Sequence, residues 1–159
     1  MTSPEGPEAA PQPDAAPQQV PNPGGFALPA DASLEEVQEH FKNDRFATQA
    51  AGCVLVEAGP GRAVAEMQLK DVHRNAMGNV MGGAIFTLAD FALAAACNVG
   101  EAPTVSIDSN ISYYRASKGE KLTATATCSK PGHHAAFYTI DVVDDLGKQI
   151  ARMTATCYR

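Results

Sequence analysis

One carboxylate, Asp90, stands in the middle of an almost wholly apolar stretch, Asn75 to Asn98 (NAMGNVMGGAIFTLADFALAAACN), and a glycine pair, Gly82–Gly83, opens the apolar part. A lone charge in such a setting is costly unless a partner neutralises it or a reaction uses it. The glycine pair begins a helix with backbone N–H groups that no side chain crowds, the geometry that holds an anion or a developing oxyanion. A stranded acid and an anion-holding helix start together point to chemistry on a carbonyl. Each residue also has a plainer reading. Asp90 turns to solvent or pairs with a donor, Gly82–Gly83 forms a tight turn, Asn75 caps a turn, and Ser106 is a satisfied strand hydroxyl.

These groups need elements to position them. Ser33-Leu34-Glu35-Glu36 fits a capping box, so a short helix is expected from Ser33 to about Asn43. Cys53–Ala58 and Arg62–Leu69 flank Gly59-Pro60-Gly61 and read as a hairpin. The apolar helix follows, from about Gly82 to Asn98. After Pro103 the pattern has period two: Val105, Ile107, Ile111 and Tyr113 share one parity, and the sets Leu122–Cys128, Tyr138–Val142 and Ala151–Cys157 repeat the alternation between turn signals. A helix apolar on nearly every side must be surrounded. The expectation is an α+β fold in which one curled, mostly antiparallel sheet wraps a long central helix.

Composition bounds the partners. Twelve Lys and Arg against eighteen Asp and Glu give a net charge of −6, which argues against nucleic acid. The N-terminus MTSPEGPEAAP has no basic start and no apolar core, so no signal peptide is expected. The run Ala84–Cys97 is too short to span a bilayer. Residues 1–30 hold eight of the eleven prolines and read as a disordered tail, leaving residues 31–159 as one domain. Cys53, Cys97, Cys128 and Cys157 are scattered without metal-ligand spacing and read as free thiols in a cytoplasmic protein with no bound metal. His73, beside Arg74, reads as a surface residue. His133 and His134 are read as no metal pair, because adjacent residues on a strand point to opposite faces.

The pattern Asn75-x-x-Gly78-x-x-Met81-Gly82-Gly83, then Leu88-Ala89-Asp90 and Val105-Ser106-Ile107-Asp108-x-Asn110-Ile111-x-Tyr113, resembles the hotdog-fold acyl-CoA thioesterases of the PaaI-like (phenylacetate-pathway) group, over roughly Ser33 to Tyr158. The resemblance implies a hotdog fold without a cofactor, hydrolysis of an acyl-CoA to a carboxylic acid and coenzyme A, and a homodimer, often a dimer of dimers. It implies Asp90 as the acid, Gly82 as the oxyanion donor, and Ser106 as orienting the attacking water. Asn75 is a candidate to hydrogen-bond the carbonyl or the water. Met81 stands where the family has histidine, beside Gly83 in the substrate-binding segment. Whether Asp90 acts as general base or as nucleophile stays open.

Helix geometry adds a constraint of its own. Gly83 and Asp90 share a face but lie about 10 Å apart along the axis, too far to touch one carbonyl. The second helix start must come from elsewhere, most simply from an antiparallel copy across a two-fold axis. Candidate contacts to coenzyme A phosphates are Arg115 and Lys118 in one turn and Lys130, His133 and His134 in the next. Phe86, Phe91, Tyr113 and Tyr114 shape the acyl pocket. The rival readings are a non-catalytic acyl-CoA- or lipid-binding hotdog protein and an acyl-thioester dehydratase or hydratase. The dehydratase chemistry usually wants a histidine base, which Met81 does not supply.

Overall fold

The computed structural model describes residues 28–159. The disordered tail expected over residues 1–30 lies outside them apart from its last three residues. Leu28 bridges Val99 in parallel, and its carbonyl accepts from the Gly100 N–H at 2.8 Å.

Helix α1 (Leu34–Phe41) starts where the capping box puts it: the Ser33 hydroxyl accepts from the Glu36 N–H, and the Glu36 carboxylate accepts from the Ser33 N–H. Val37 and Phe41 are its buried residues. Strands β1 (Cys53–Gly59) and β2 (Arg62–Gln68) form the hairpin. Gly59 pairs with Arg62, so Pro60–Gly61 makes the turn, with Gly61 at φ 73° in the position where a type II turn needs a left-handed residue. Helix α2 (Gly82–Asn98) is followed by β3 (Val105–Tyr113), β4 (Lys121–Lys130), β5 (Ala135–Asp144) and β6 (Gln149–Tyr158). The six strands form one sheet in the order β1-β2-β4-β5-β6-β3, and every neighbouring pair is antiparallel. This is the curled sheet on a long helix that the sequence implied. Two short turns had no sequence signal, a π-helical turn at Phe46–Ala50 and a 3-10 turn at Asp71–His73. Segments of three to five residues are too short to show a period.

The helix packs mainly on β2 and β4. Directly beneath it these strands offer alanines, Ala63, Ala65, Ala124 and Ala126, all fully buried. Side chains this small let the helix descend close to the sheet, while Leu88, Leu93, Leu122, Ile140 and Met153 fill the flanks. Each such large side chain contributes about 1.5–3 kcal/mol by leaving water.

Two expectations need correction. The sheet does not surround α2: Gly83, Phe86, Thr87, Asp90 and Ala94 stay at least partly exposed, a stripe along one side of the helix. The apolar parity of β3 is not buried either, since Val105 and Ile107 are 64% and 63% exposed. β3 is an edge strand whose first half lies away from the helix, and a bulge between Ser106 and Asp108 breaks its register with β6, so only its second half turns inward, with Ile111 packed partly on the core and Tyr113 reaching the start of α2.

Asn98 ends the helix and fixes the approach to β3. Its amide donates to the Ala94 and Thr104 carbonyls, and its oxygen accepts from the Thr104 N–H at 2.8 Å. Both residues are buried. Replacing Asn98 with Ala strands the buried Thr104 N–H and C=O, so Asn98→Ala should lose about 1–3 kcal/mol of stability, read from the urea denaturation midpoint. An unchanged midpoint would show that water satisfies the loop.

Candidate active site

The glycine start of α2 is built by the loop before it. Gly78 takes φ 77°, and the Asn75 side-chain oxygen accepts from the Met77 and Asn79 N–H groups at 3.0 and 3.1 Å. Asn75 therefore caps the turn through its oxygen. Its Nδ2 donor has no partner among the described residues and remains available.

His73 holds this loop from inside. It is buried, contrary to its surface reading. Its Nδ1 accepts from the Lys70 N–H at 2.9 Å, so the network assigns the proton to Nε2, which meets the Ala51 carbonyl at 3.0 Å. The His73 carbonyl accepts from the Met81 N–H at 2.8 Å. Nothing local in the sequence signals this role, because both ring partners come from turns without a period.

Met81 is the N-cap in extended conformation and supplies no side-chain cap. Its carbonyl accepts from the Ala84 and Ile85 N–H groups. The N–H groups of Gly82 and Gly83 have no acceptor among the described residues and open outward, where the helix dipole favours negative charge. Glycine at 82 gives the Tyr113 ring its place, since a Cβ there would lie 3.2 Å from the ring and the hydroxyl and would push them back. A cavity of about 640 Å³ adjoins this start, walled by Phe46, Val72, Met81, Phe86 and Tyr113.

Asp90 lies two turns further along the exposed stripe. Its carboxylate makes no hydrogen bond among the described residues. It lines two smaller cavities, one of about 230 Å³ shared with Asn98, Thr104 and Ser106, the other of about 360 Å³ shared with Phe46, Phe86 and Thr87. Burial raises the Asp90 pKa above the ordinary aspartate value, and the nearby Asp44 charge pushes the same way. Asp44 lines both of those cavities and is itself raised by burial. Sequence reading missed Asp44. Asn43-Asp44 looks like ordinary polar punctuation after a helix, and only tertiary packing turns it toward Asp90.

The expected site residues thus fall into two sets in a single chain. Asp90 and Ser106 share one cavity, while Gly82, Gly83, Met81 and Asn75 cluster at the helix start. The cavity beside Gly83 and the 360 Å³ cavity beside Asp90 both touch Phe46, Phe86 and Thr87, but none holds both glycine and acid. The basic residues divide as well. Arg115 and Lys118 precede β4, whereas Lys130, His133 and His134 lie at its far end, about 30 Å away at strand rise. All five are exposed. His133 and His134 sit in the turn before β5 rather than on a strand, and their rings meet edge-on at 4.7 Å.

Comparison with known proteins gives one answer. The sequence model of the thioesterase superfamily matches residues 77–151. Human acyl-coenzyme A thioesterase 13 is 37% identical over 125 residues, covering 76% of this chain and 89% of the relative. Acyl-coenzyme A thioesterase PaaI of Escherichia coli K12 is 31% identical over 120 residues, covering 75% and 85%. Among solved structures, the E. coli PaaI protein from the phenylacetic acid degradation operon superposes with a TM-score of 0.70 at 26% identity, covering 80% of this chain and 96% of that one. A Streptococcus mutans protein solved with acetyl CoA gives 0.62 at 25% identity, covering 65% and 85%.

The Asp90 environment has a measurable cost. A carboxyl whose pKa is raised by folding binds its proton more tightly folded than unfolded. Its contribution is favourable at low pH and is lost as pH rises from the ordinary aspartate range through the raised value. At neutral pH the charged group is therefore a burden, and Asp90→Asn should raise the thermal midpoint there, with little gain at pH 3. A lower midpoint at pH 7 would mean that the carboxylate has a stabilising partner.

Proposed function

The chain belongs to the thioesterase superfamily, and from that premise we propose that it is an acyl-CoA thioesterase whose sites form between two antiparallel copies of α2. Water and an acyl-CoA give a carboxylic acid and free coenzyme A. The observation that carries the proposal is the placement, on one uncovered stripe, of an acid and two helix-start N–H groups that have no hydrogen-bond partner among the described residues, too far apart to serve one carbonyl within a chain. Set antiparallel, two such stripes bring each Asp90 to the other's Gly82–Gly83, with the two-fold axis near Phe86 and Thr87. The small residues Gly83, Thr87 and Ala94 suit close approach, and the exposed apolar edge of β3 gives the second copy more to cover.

In this arrangement the Gly82 N–H binds the oxygen of the thioester carbonyl and holds the charge that develops on it. Asn75 adds its free Nδ2 to the same oxygen or to the water. Asp90 either takes a proton from a water oriented by Ser106 or attacks the carbonyl itself, giving an anhydride that water then opens. Either route passes through a tetrahedral oxyanion that collapses by expelling the coenzyme A thiolate. The raised pKa makes Asp90 a stronger base than an exposed aspartate. Met81 gives the carbonyl pocket an apolar wall in place of a histidine, and the adjoining cavity receives the acyl group.

Antiparallel pairing also brings the β3–β4 loop of one copy toward the β4–β5 turn of the other. Arg115 and Lys118 then share the coenzyme A phosphates with Lys130, His133 and His134. The assembly is a homodimer or a dimer of dimers, and residues 31–159 form the working domain. The free thiols of all four cysteines suit a reducing cytoplasm. Met81 also favours a second reading, a hotdog protein that binds acyl-CoA without cleaving it.

A free-thiol assay over aromatic, short and medium acyl-CoAs separates the readings. Hydrolysis requires thiol release that falls about 10²–10⁴-fold in Asp90→Asn. Binding without release supports the second reading. Full activity in a species that sediments as a monomer would exclude a shared site.

A further inference from the structure

We propose that Tyr113 is a positioning residue of the oxyanion site: its hydroxyl polarises the Gly82–Gly83 peptide so that the Gly83 N–H serves as a second donor beside Gly82. This inference rests on the thioesterase reading above and adds a donor and its control to it.

The Tyr113 hydroxyl donates to the Gly82 carbonyl at 3.0 Å. That carbonyl and the Gly83 N–H belong to one peptide group. A hydrogen bond to the oxygen draws electron density along the amide and makes the nitrogen proton a better donor, the cooperativity that links hydrogen bonds in chains. The Gly83 N–H is the group with something to gain, because it has no acceptor among the described residues. The Gly82 N–H lies in the preceding peptide, whose Met81 carbonyl already accepts from Ala84 and Ile85.

The contact is held from both sides. Tyr113 ends β3 opposite Ala151 of β6, and the next N–H, from Tyr114, donates to the Ile150 carbonyl at 2.8 Å. The sheet therefore fixes where the ring stands. Glycine at 82 leaves the ring room, since a Cβ would come within 3.2 Å of Cζ and of the hydroxyl oxygen. The following carbonyl, that of Gly83, takes a bond from the Thr87 hydroxyl at 2.9 Å. Two hydroxyls thus hold successive peptide planes of the first turn, so the N–H groups need little reorganisation when charge appears. Burial raises the Tyr113 pKa, which keeps the phenol protonated and donating.

Tyr113→Phe keeps the ring and removes only the hydroxyl. Two readouts on the full-length protein test the idea. In amide NMR spectra the Gly83 proton should move upfield while that of Gly82 stays near its original position. In the thiol assay kcat should fall about three- to tenfold with KM unchanged, the signature of an interaction that strengthens as the oxyanion forms. A Gly83 proton that does not move, or a kcat equal to wild type, overturns the proposal. A wild-type protein that cleaves no acyl-CoA instead overturns the thioesterase reading, and the Gly83 shift then still decides whether Tyr113 polarises this peptide.

Discussion

Two turns of helix separate Asp90 from the glycine pair, and no side-chain movement within the chain removes that distance. An α-helix advances 1.5 Å per residue, so the spacing is as fixed as a bond length. The geometry of the site follows from it. Acid and glycine start lie on one line, the sheet leaves that line open, and Val105 and Ile107 of the neighbouring edge strand stay exposed. A fold that buried α2 on all sides would have satisfied the helix and closed off the acid.

Rigidity at the helix start comes from residues that do no chemistry. His73 ties the 3-10 turn to Ala51 and, through its carbonyl, to Met81. Asn98 closes the other end against Thr104. The seventeen-residue helix is thus pinned at both ends by hydrogen bonds, while its middle carries a half-buried carboxylate that makes no hydrogen bond among the described residues.

Much of the fold was legible because it is written in periods. The alternation from Leu122 to Cys128 and from Ala151 to Cys157 matches the buried faces of β4 and β6, and Ser33 with Glu36 marked the start of α1. Reading failed where the answer depended on reach across the fold. The bulge in β3 leaves Val105 and Ile107 uncovered while Ile111 turns inward, and His73 and Asp44 acquire their surroundings from segments distant in sequence. The candidate site was read from its residue types and from the Gly83-to-Asp90 interval, about 10 Å along one helix face, which is what motivates the proposed pairing of two copies. The basic turns were harder: neighbours in sequence order, they end up at opposite ends of a ten-residue strand.

The alanine floor under α2 has a bearing on how the cavity can diversify. Ala63, Ala65, Ala124 and Ala126 have no methylenes to give up and no room to gain any, because a larger residue at any of them would lever the helix off the sheet. The cavity beside the helix start is therefore free to change at its other walls, Phe46, Val72, Met81, Phe86 and Tyr113. The same depth of packing that makes the scaffold inflexible leaves variation to residues along the rim of that cavity, which can change without loosening the frame.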